Sequence, residues 1–319
     1  MICVNFFDQA ELCEAFEKLY SFGKDEIVKL AVMSMQQCDP ALYFVEQTKM
    51  NIDMIDTKNV YLHCKHITTS LDNLESFKKY GFMTLNELLS KKTSLSSFLK
   101  EHQIHIDVSN KKVCYKNKCF VLNDSNEECN ECFYETDCQH KTSLFSNNTT
   151  LIYRDMACSF RDSIKVLRSK LYDDTGEIEV HLAGSKENVH DYSEIKRHPE
   201  ILITIENLIS ELFNEKIYLC RDWEEETGGK YYCMDFDVNI VNFERITTTL
   251  DEYNYFPFLD YCQNEYSSLD DVNTNFLVNI FLLYNGIPHL AFEEKWICGQ
   301  ILPDTKIPYK SITVTEFQN

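Results

Sequence analysis

The chain changes its periodicity within one short stretch, and this limits the folds open to it. Val60-Tyr61-Leu62-His63-Cys64-Lys65-His66-Ile67 reads as a strand, and Thr68-Thr69-Ser70 as a turn with Ser70 as the helix N-cap. Leu71, Leu74 and Phe77 then fall at helical spacing, and Gly81 suits the left-handed position that closes a helix. A strand feeding a helix through a tight turn implies a mixed α/β chain.

The flanking sequence extends this pattern. Residues 1–58 read as a helical N-terminal extension. Asp8 and Glu11 form a capping box ahead of Leu12, Phe16 and Leu19, and a second helix runs from Lys24 to about Gln37. Residues 59–319 read as one α+β domain with a central insertion around 123–215. Thr84 with Glu87 caps a short helix, and Ser94 to His102 forms another that carries Leu95, Phe98 and Leu99. Lys111 to Leu122 reads as a hairpin turning at Lys116-Asn117, with Cys114 facing Cys119. Residues 123–150 read as a polar loop. Helices are expected at 155–171 and at 200–214, the latter opened by Pro199. Strands are expected at Lys216–Arg221 and Tyr231–Val241, joined through Gly228-Gly229, and near 295–302 and 311–316; the apolar segment 276–284 reads as a helix.

Composition excludes some roles. Lys and Arg total 31 against 51 Asp and Glu, a net charge of −20. So negative a surface repels phosphate backbones, which argues against broad nucleic-acid binding. The longest apolar run, Phe276 to Tyr284, is interrupted by Asn279 and is too short to span a bilayer. The start, Met-Ile-Cys-Val-Asn-Phe-Phe-Asp, lacks the basic and apolar regions of a secretion signal. The 14 cysteines sit mostly in apolar contexts, as in Tyr218-Leu219-Cys220 and Trp296-Ile297-Cys298, which suits buried free thiols. The expectation is a cytoplasmic protein of a reducing compartment.

His66 and Thr68 are two apart and project to one side at the end of a strand, just before a helix. The run Lys65-His66-Ile67-Thr68-Thr69-Ser70-Leu71-Asp72-Asn73-Leu74-Glu75-Ser76-Phe77-Lys78-Lys79-Tyr80-Gly81-Phe82 resembles the first motif of ADP-ribosyltransferases. It is most similar to toxin-like members and to the tRNA 2′-phosphotransferase and poly-ADP-ribose polymerase branch. The resemblance implies a split antiparallel sheet and NAD as substrate. It implies that His66 holds the nicotinamide ribose and that Thr68, with Thr69 beside it, supports the nicotinamide end. It further implies a carboxylate opening a late strand, which Glu294 or, alternately, Glu293 would supply in Glu293-Glu294-Lys295-Trp296-Ile297-Cys298. Some members stack a tyrosine on the nicotinamide; Tyr192 and Tyr153 are the candidates here, and neither sits in a distinct motif. Toxin-like members often act in bacterial conflict, in toxin–antitoxin pairs and phage defence. Without the resemblance, His66 reads as an ordinary hydrogen-bonded histidine and Glu293-Glu294 as a solvated turn.

Two other constellations stand out. Cys129, Cys132, Cys138 and His140 supply four ligands of the kind that hold structural zinc, although a Cys-x-His closing pair is unusual and the alternative is thiols without metal. Asp235-Phe236-Asp237 puts two carboxylates on one strand face. Gly228-Gly229 lies too close upstream for a nucleotidyltransferase turn and helix, so the pair reads as a polar strand face. No phosphate-cradling glycine loop, dinucleotide fingerprint, nucleophile elbow or His-Glu-x-x-His helix is present. Two readings follow: an enzyme that transfers ADP-ribose from NAD to a macromolecular acceptor or to water, or a non-catalytic protein whose acidic surface engages a partner.

Overall fold

The computed structural model describes residues 1–34, 36–37, 43–44, 46–47, 56–110, 112–121, 140–144, 152–156, 167, 171, 178–183, 190, 194–213, 215–248 and 297–319. The fold is α+β and divides into two compact units. The first comprises Met1–His66, Glu179–Tyr192 and Cys233–Val314; the second comprises Ile67–Ile178, Ser193–Tyr232 and Thr315–Asn319.

In the first unit the sheet order is β10-β11-β8-β2-β9, with β1 also paired to β2. These strands are β1 (Ile2–Val4), β2 (Val60–Thr68), β8 (Ile178–Ala183), β9 (Lys230–Asn239), β10 (Phe243–Thr248) and β11 (Ile297–Ile301). β1 runs parallel to β2, pairing Ile2 with Val60, whereas β8 is antiparallel to β2 with Lys65 opposite His181. β10 and β11 are also antiparallel. Helix α1 (Gln9–Tyr20) packs on β1 and on α2 (Lys24–Ser34). Asp8 caps α1 by accepting from the Ala10 and Glu11 amides, and Leu12 and Phe16 are buried. Glu11 does not complete the capping box; its carboxylate accepts from the Asn5 amide at 2.8 Å. The opening residues, expected to be helical, include a strand at Ile2–Val4 because the backbone of Val60–Leu62 in β2 pairs with theirs.

Gly299 lets β11 come close to its neighbours. A Cβ there would lie 2.6 Å from Phe243 Cε1 and 3.1 Å from Leu182 Cδ1. Phe243 and Leu182 are both fully buried, so neither can swing into solvent.

The second unit is built on one hydrophobic core. Leu95, Phe98 and Leu99 of one helix meet Ile201, Ile205 and Leu208 of another, with Trp223 among them. The short helices are α3 (Glu75–Tyr80), α4 (Leu85–Ser90) and α5 (Ser94–Glu101). Thr84 and Glu87 form the expected capping box of α4, and Gly81 adopts φ 77° after α3. α3 starts later than its apolar spacing implies. Ser70 accepts from the Leu74 amide and Asp72 from the Ser76 amide, with Asn73 and Leu74 left-handed between them (φ 51° and 65°). Strands β3 (Ile104–Asp107), β4 (Lys112–Tyr115) and β5 (Lys118–Val121) form a meander. Cys114 stands opposite Cys119 as expected, and the two are joined by a disulfide.

Two expectations are corrected. Residues 140–144 and 152–156 pair as strands β6 and β7, so the loop expected at 123–150 contains a strand and the start of the helix expected at 155–171 is β-structure. Lys216–Arg221 is not a strand. Leu219–Thr227 is helix α7, following α6 (Ile201–Phe213). Leu219, Trp223 and Thr227 are its buried stripe, and Gly228 ends it at φ 61°. At the end of the chain β12 (Thr313–Gln318) reaches the second unit, where Phe317 stacks on Tyr231 at 5.3 Å and Lys230 pairs with Glu316 at 3.0 Å.

Candidate functional site

Strand alternation assembles a polar cluster in the first unit. Leu62 and Cys64 of β2 are buried, so His63 and Lys65 project to the other side. On the neighbouring β9, Met234, Phe236 and Val238 are buried, and Asp235 and Asp237 project between them. His63 Nδ1 lies 2.9 Å from Asp237 Oδ1, and its Nε2 lies 3.4 Å from Asp235 Oδ1. Lys65 donates to Asp235. Its ammonium also lies 5.1 Å from the centre of the Phe7 ring, which packs T-shaped with the His63 ring. Cys3 of β1 completes the group, its Sγ within 4.8 Å of the His63 and Asp237 donor atoms.

The histidine, the two carboxyls and the nearby thiols titrate away from their ordinary values. Burial pulls the His63 imidazole down, but hydrogen bonds to Asp235 and Asp237 overcome this and raise its pKa to about 9. Burial raises the Asp235 carboxyl, yet His63 and Lys65 hold it below the usual carboxylate range; His63 does the same for Asp237. Burial and the nearby carboxylates push the Cys3 and Cys233 thiols up to about 12. At neutral pH the cluster therefore holds an imidazolium and neutral thiols. Without a bound cation its charges are paired within the cluster and it presents no thiolate nucleophile.

His66 sits three residues beyond His63 and has a different chemistry. Its Nδ1 meets the Glu179 carbonyl at 3.0 Å. A carbonyl only accepts, so Nδ1 carries the proton and Nε2 the lone pair. Burial lowers its pKa against the opposing pull of that carbonyl, so the ring is neutral at physiological pH. The neighbouring threonines differ from each other. The Thr68 hydroxyl is half-buried and reaches the Thr69 carbonyl at 3.4 Å. Thr69 is buried, and its hydroxyl accepts from the Trp223 indole at 2.9 Å. A hydroxyl committed to a core indole serves the packing of its own unit.

Glu293, Glu294, Tyr192, Cys129, Cys132 and Cys138, expected from the sequence as site residues, lie outside the described residues. His140 opens β6, of which only the backbone is described. β11 begins three residues after Glu294 in sequence and is separated from β2 by β8 alone.

Sequence reasoning found the Asp235–Asp237 face but missed its partners. His63 and Lys65 carry the same every-second-residue signature, which could have flagged them; that β2 and β9 are neighbours is a tertiary fact. A separate groove of about 760 Å³ lies in the second unit, lined by Asp72, Lys78, Lys79, Tyr80, Lys92 and Ser97 among others. Neither His66 nor Thr68 lines it. No protein-family model, curated protein or solved structure matches this chain.

Proposed function

We propose that the chain is an NAD-consuming ADP-ribosyltransferase or NAD glycohydrolase. The observation that carries this reading is the state of His66 within the Lys65–Phe82 resemblance. A neutral imidazole, oriented through Nδ1 by the Glu179 carbonyl, is the protonation state in which a histidine can accept a hydrogen bond from a ribose hydroxyl. The antiparallel pairs β2–β8 and β10–β11 suit the split sheet that the resemblance implies.

In this reading His66 holds the nicotinamide ribose and the Thr68 hydroxyl supports the nicotinamide end. The Glu294 carboxylate, with Glu293 as alternate, faces the sugar. The bond from ribose C1′ to the nicotinamide nitrogen breaks, and its electron pair leaves with nicotinamide. Positive charge develops at the sugar, and a fixed anion lowers that barrier. An acceptor hydroxyl or water then bonds to C1′ and gives up its proton. The acidic surface, at a net charge of −20, favours a basic macromolecular partner as acceptor or regulator.

The test is nicotinamide release from NAD⁺ by the purified chain, alone and with protein and nucleic-acid acceptors. Release that is lost in both His66→Ala and Glu294→Gln, each with an unchanged circular dichroism spectrum, supports the reading. Absence of release with every acceptor class overturns it in favour of a non-catalytic binding protein.

A further inference from the structure

We infer that Cys3, His63 and Asp237 form a binding site for a borderline-soft divalent cation of the zinc class. This site is independent of the NAD reading and of the Cys129–His140 segment.

Three strands deliver the ligands. Cys3 comes from β1, His63 from β2 and Asp237 from β9. One donor atom from each lies within 4.8 Å of the other two. Thiolate, imidazole and carboxylate are the three donor types that zinc accepts, and a three-ligand set leaves a fourth position open for water or substrate. Two donors on one tetrahedral ion sit about 3.3 Å apart, given metal–ligand bonds of about 2.0–2.1 Å. His63 Nδ1 and Asp237 Oδ1, now at 2.9 Å, need to part by only a few tenths of an ångström.

The surroundings match those of a ligating histidine. With Nδ1 on the metal, Nε2–H points at Asp235 Oδ1, 3.4 Å away. Asp235 is in turn held by Lys65, and Lys65 lies over Phe7. A carboxylate behind a metal-bound imidazole fixes the ring and raises its basicity. The Phe7 and His63 rings pack T-shaped, with centroids 6.2 Å apart at an interplanar angle of 86°, and this contact limits rotation of the imidazole. Charge also balances. Lys65 and Asp235 cancel, and the ion takes the place of two protons, one from the His63 imidazolium and one from the Cys3 thiol, which are released to solvent; the resulting Cys3 thiolate and the Asp237 carboxylate match a doubly charged ion.

The experiment titrates Co²⁺ into the chelator-stripped full chain and follows the thiolate-to-cobalt charge-transfer band and the visible bands of tetrahedral cobalt. We expect a component that saturates with one ion per chain, is displaced by Zn²⁺, survives a combined Cys129→Ser, Cys132→Ser and Cys138→Ser variant, and loses its charge-transfer band in Cys3→Ser. Asp235→Asn, outside the ligand set, weakens affinity by about ten- to a hundredfold while keeping the spectrum. That variant provides the test should Cys3→Ser fail to fold. No cobalt component in the triple variant, a charge-transfer band unchanged in Cys3→Ser, or affinity unchanged in Asp235→Asn would overturn the assignment.

Discussion

The Trp223 indole donates to the Thr69 hydroxyl at 2.9 Å inside the core of the second unit. Trp223 is 1% exposed and packs edge-on against Phe98 at 5.0 Å. The bond satisfies an indole N–H that water cannot reach. Thr69→Val keeps the shape but strands the donor, so the variant should lose about 1–3 kcal/mol of stability in urea denaturation. Combining it with Trp223→Phe removes the stranded donor, and the double variant should lose less than the sum of the two single changes. Additive losses would show that the bond contributes nothing.

Thr69 also shows how far the sequence could be read. The strand, turn, helix and Gly81 stop were legible because each rests on local chemistry. So were the Thr84–Glu87 box and the Leu95, Phe98, Leu99 stripe, whose burial follows from helical spacing. The helix at Leu219 was hidden because Ile217 and Leu219 alternate like a strand, whereas the longer stripe Leu219, Trp223, Thr227 carries the helical period. The first turn of α3 was misplaced because Ser70 and Asp72 offer the backbone side-chain acceptors in place of helix bonds. For the site, Asp235 and Asp237 were visible as one face. Their engagement by His63, more than 170 residues earlier in the chain, depends on strand order, which no local pattern encodes.

Gly299 should not tolerate a side chain. An alanine Cβ would sit 2.6 Å from a Phe243 ring atom, well inside van der Waals contact. Phe243 is fully buried and the strand pair β10–β11 is fixed by its ladder, so relief requires backbone movement. Gly299→Ala should destabilise the first unit by about 1–3 kcal/mol. Gly299→Ala with Phe243→Leu should recover part of the loss. A melting temperature unchanged in the single variant would contradict this packing.

His63 should make the first unit sensitive to mild alkali. Its folded pKa, about 9, exceeds the unfolded value of 6.5, so the folded state binds the proton more tightly. The stabilisation is complete below pH 6.5 and is lost as pH rises through 9. A shift of this size corresponds to roughly 3 kcal/mol. Urea midpoints measured in metal-free buffer from pH 6 to 10 should fall for the wild type and stay flatter for His63→Asn. Parallel curves for the two proteins would remove the two carboxylates as the cause.

His181 should act in the opposite direction. Burial lowers its pKa to about 3, with the His66 and His190 charges adding to the effect. Only 4% exposed, its Nδ1 lies 3.7 Å from Cys298 Sγ. The unfolded chain takes up this proton first, so stability is full above pH 6.5 and declines as pH falls toward 3. His181→Gln should start less stable at neutral pH, because it disturbs a packed site, yet lose less between pH 6.5 and 4. An equal acid slope in both proteins would assign the acid sensitivity to the carboxylates.

The Cys114–Cys119 bridge should matter less than its position in a hairpin suggests. It closes a loop with a sequence separation of only 5, and the meander β3-β4-β5 already pairs these strands. Constraining so short a loop contributes about 2 kcal/mol in the chain-entropy treatment. Reduction, or the Cys114→Ser and Cys119→Ser double variant, should therefore lower stability by that amount and leave the second unit folded. Its core joins Phe98, Ile205, Leu208 and Trp223 with Val113 and Tyr115 on either side of Cys114, and this apolar burial should hold the hairpin in place when the bridge is cut. Complete loss of the near-ultraviolet signal of Trp223 on reduction would show instead that the hairpin organises that core.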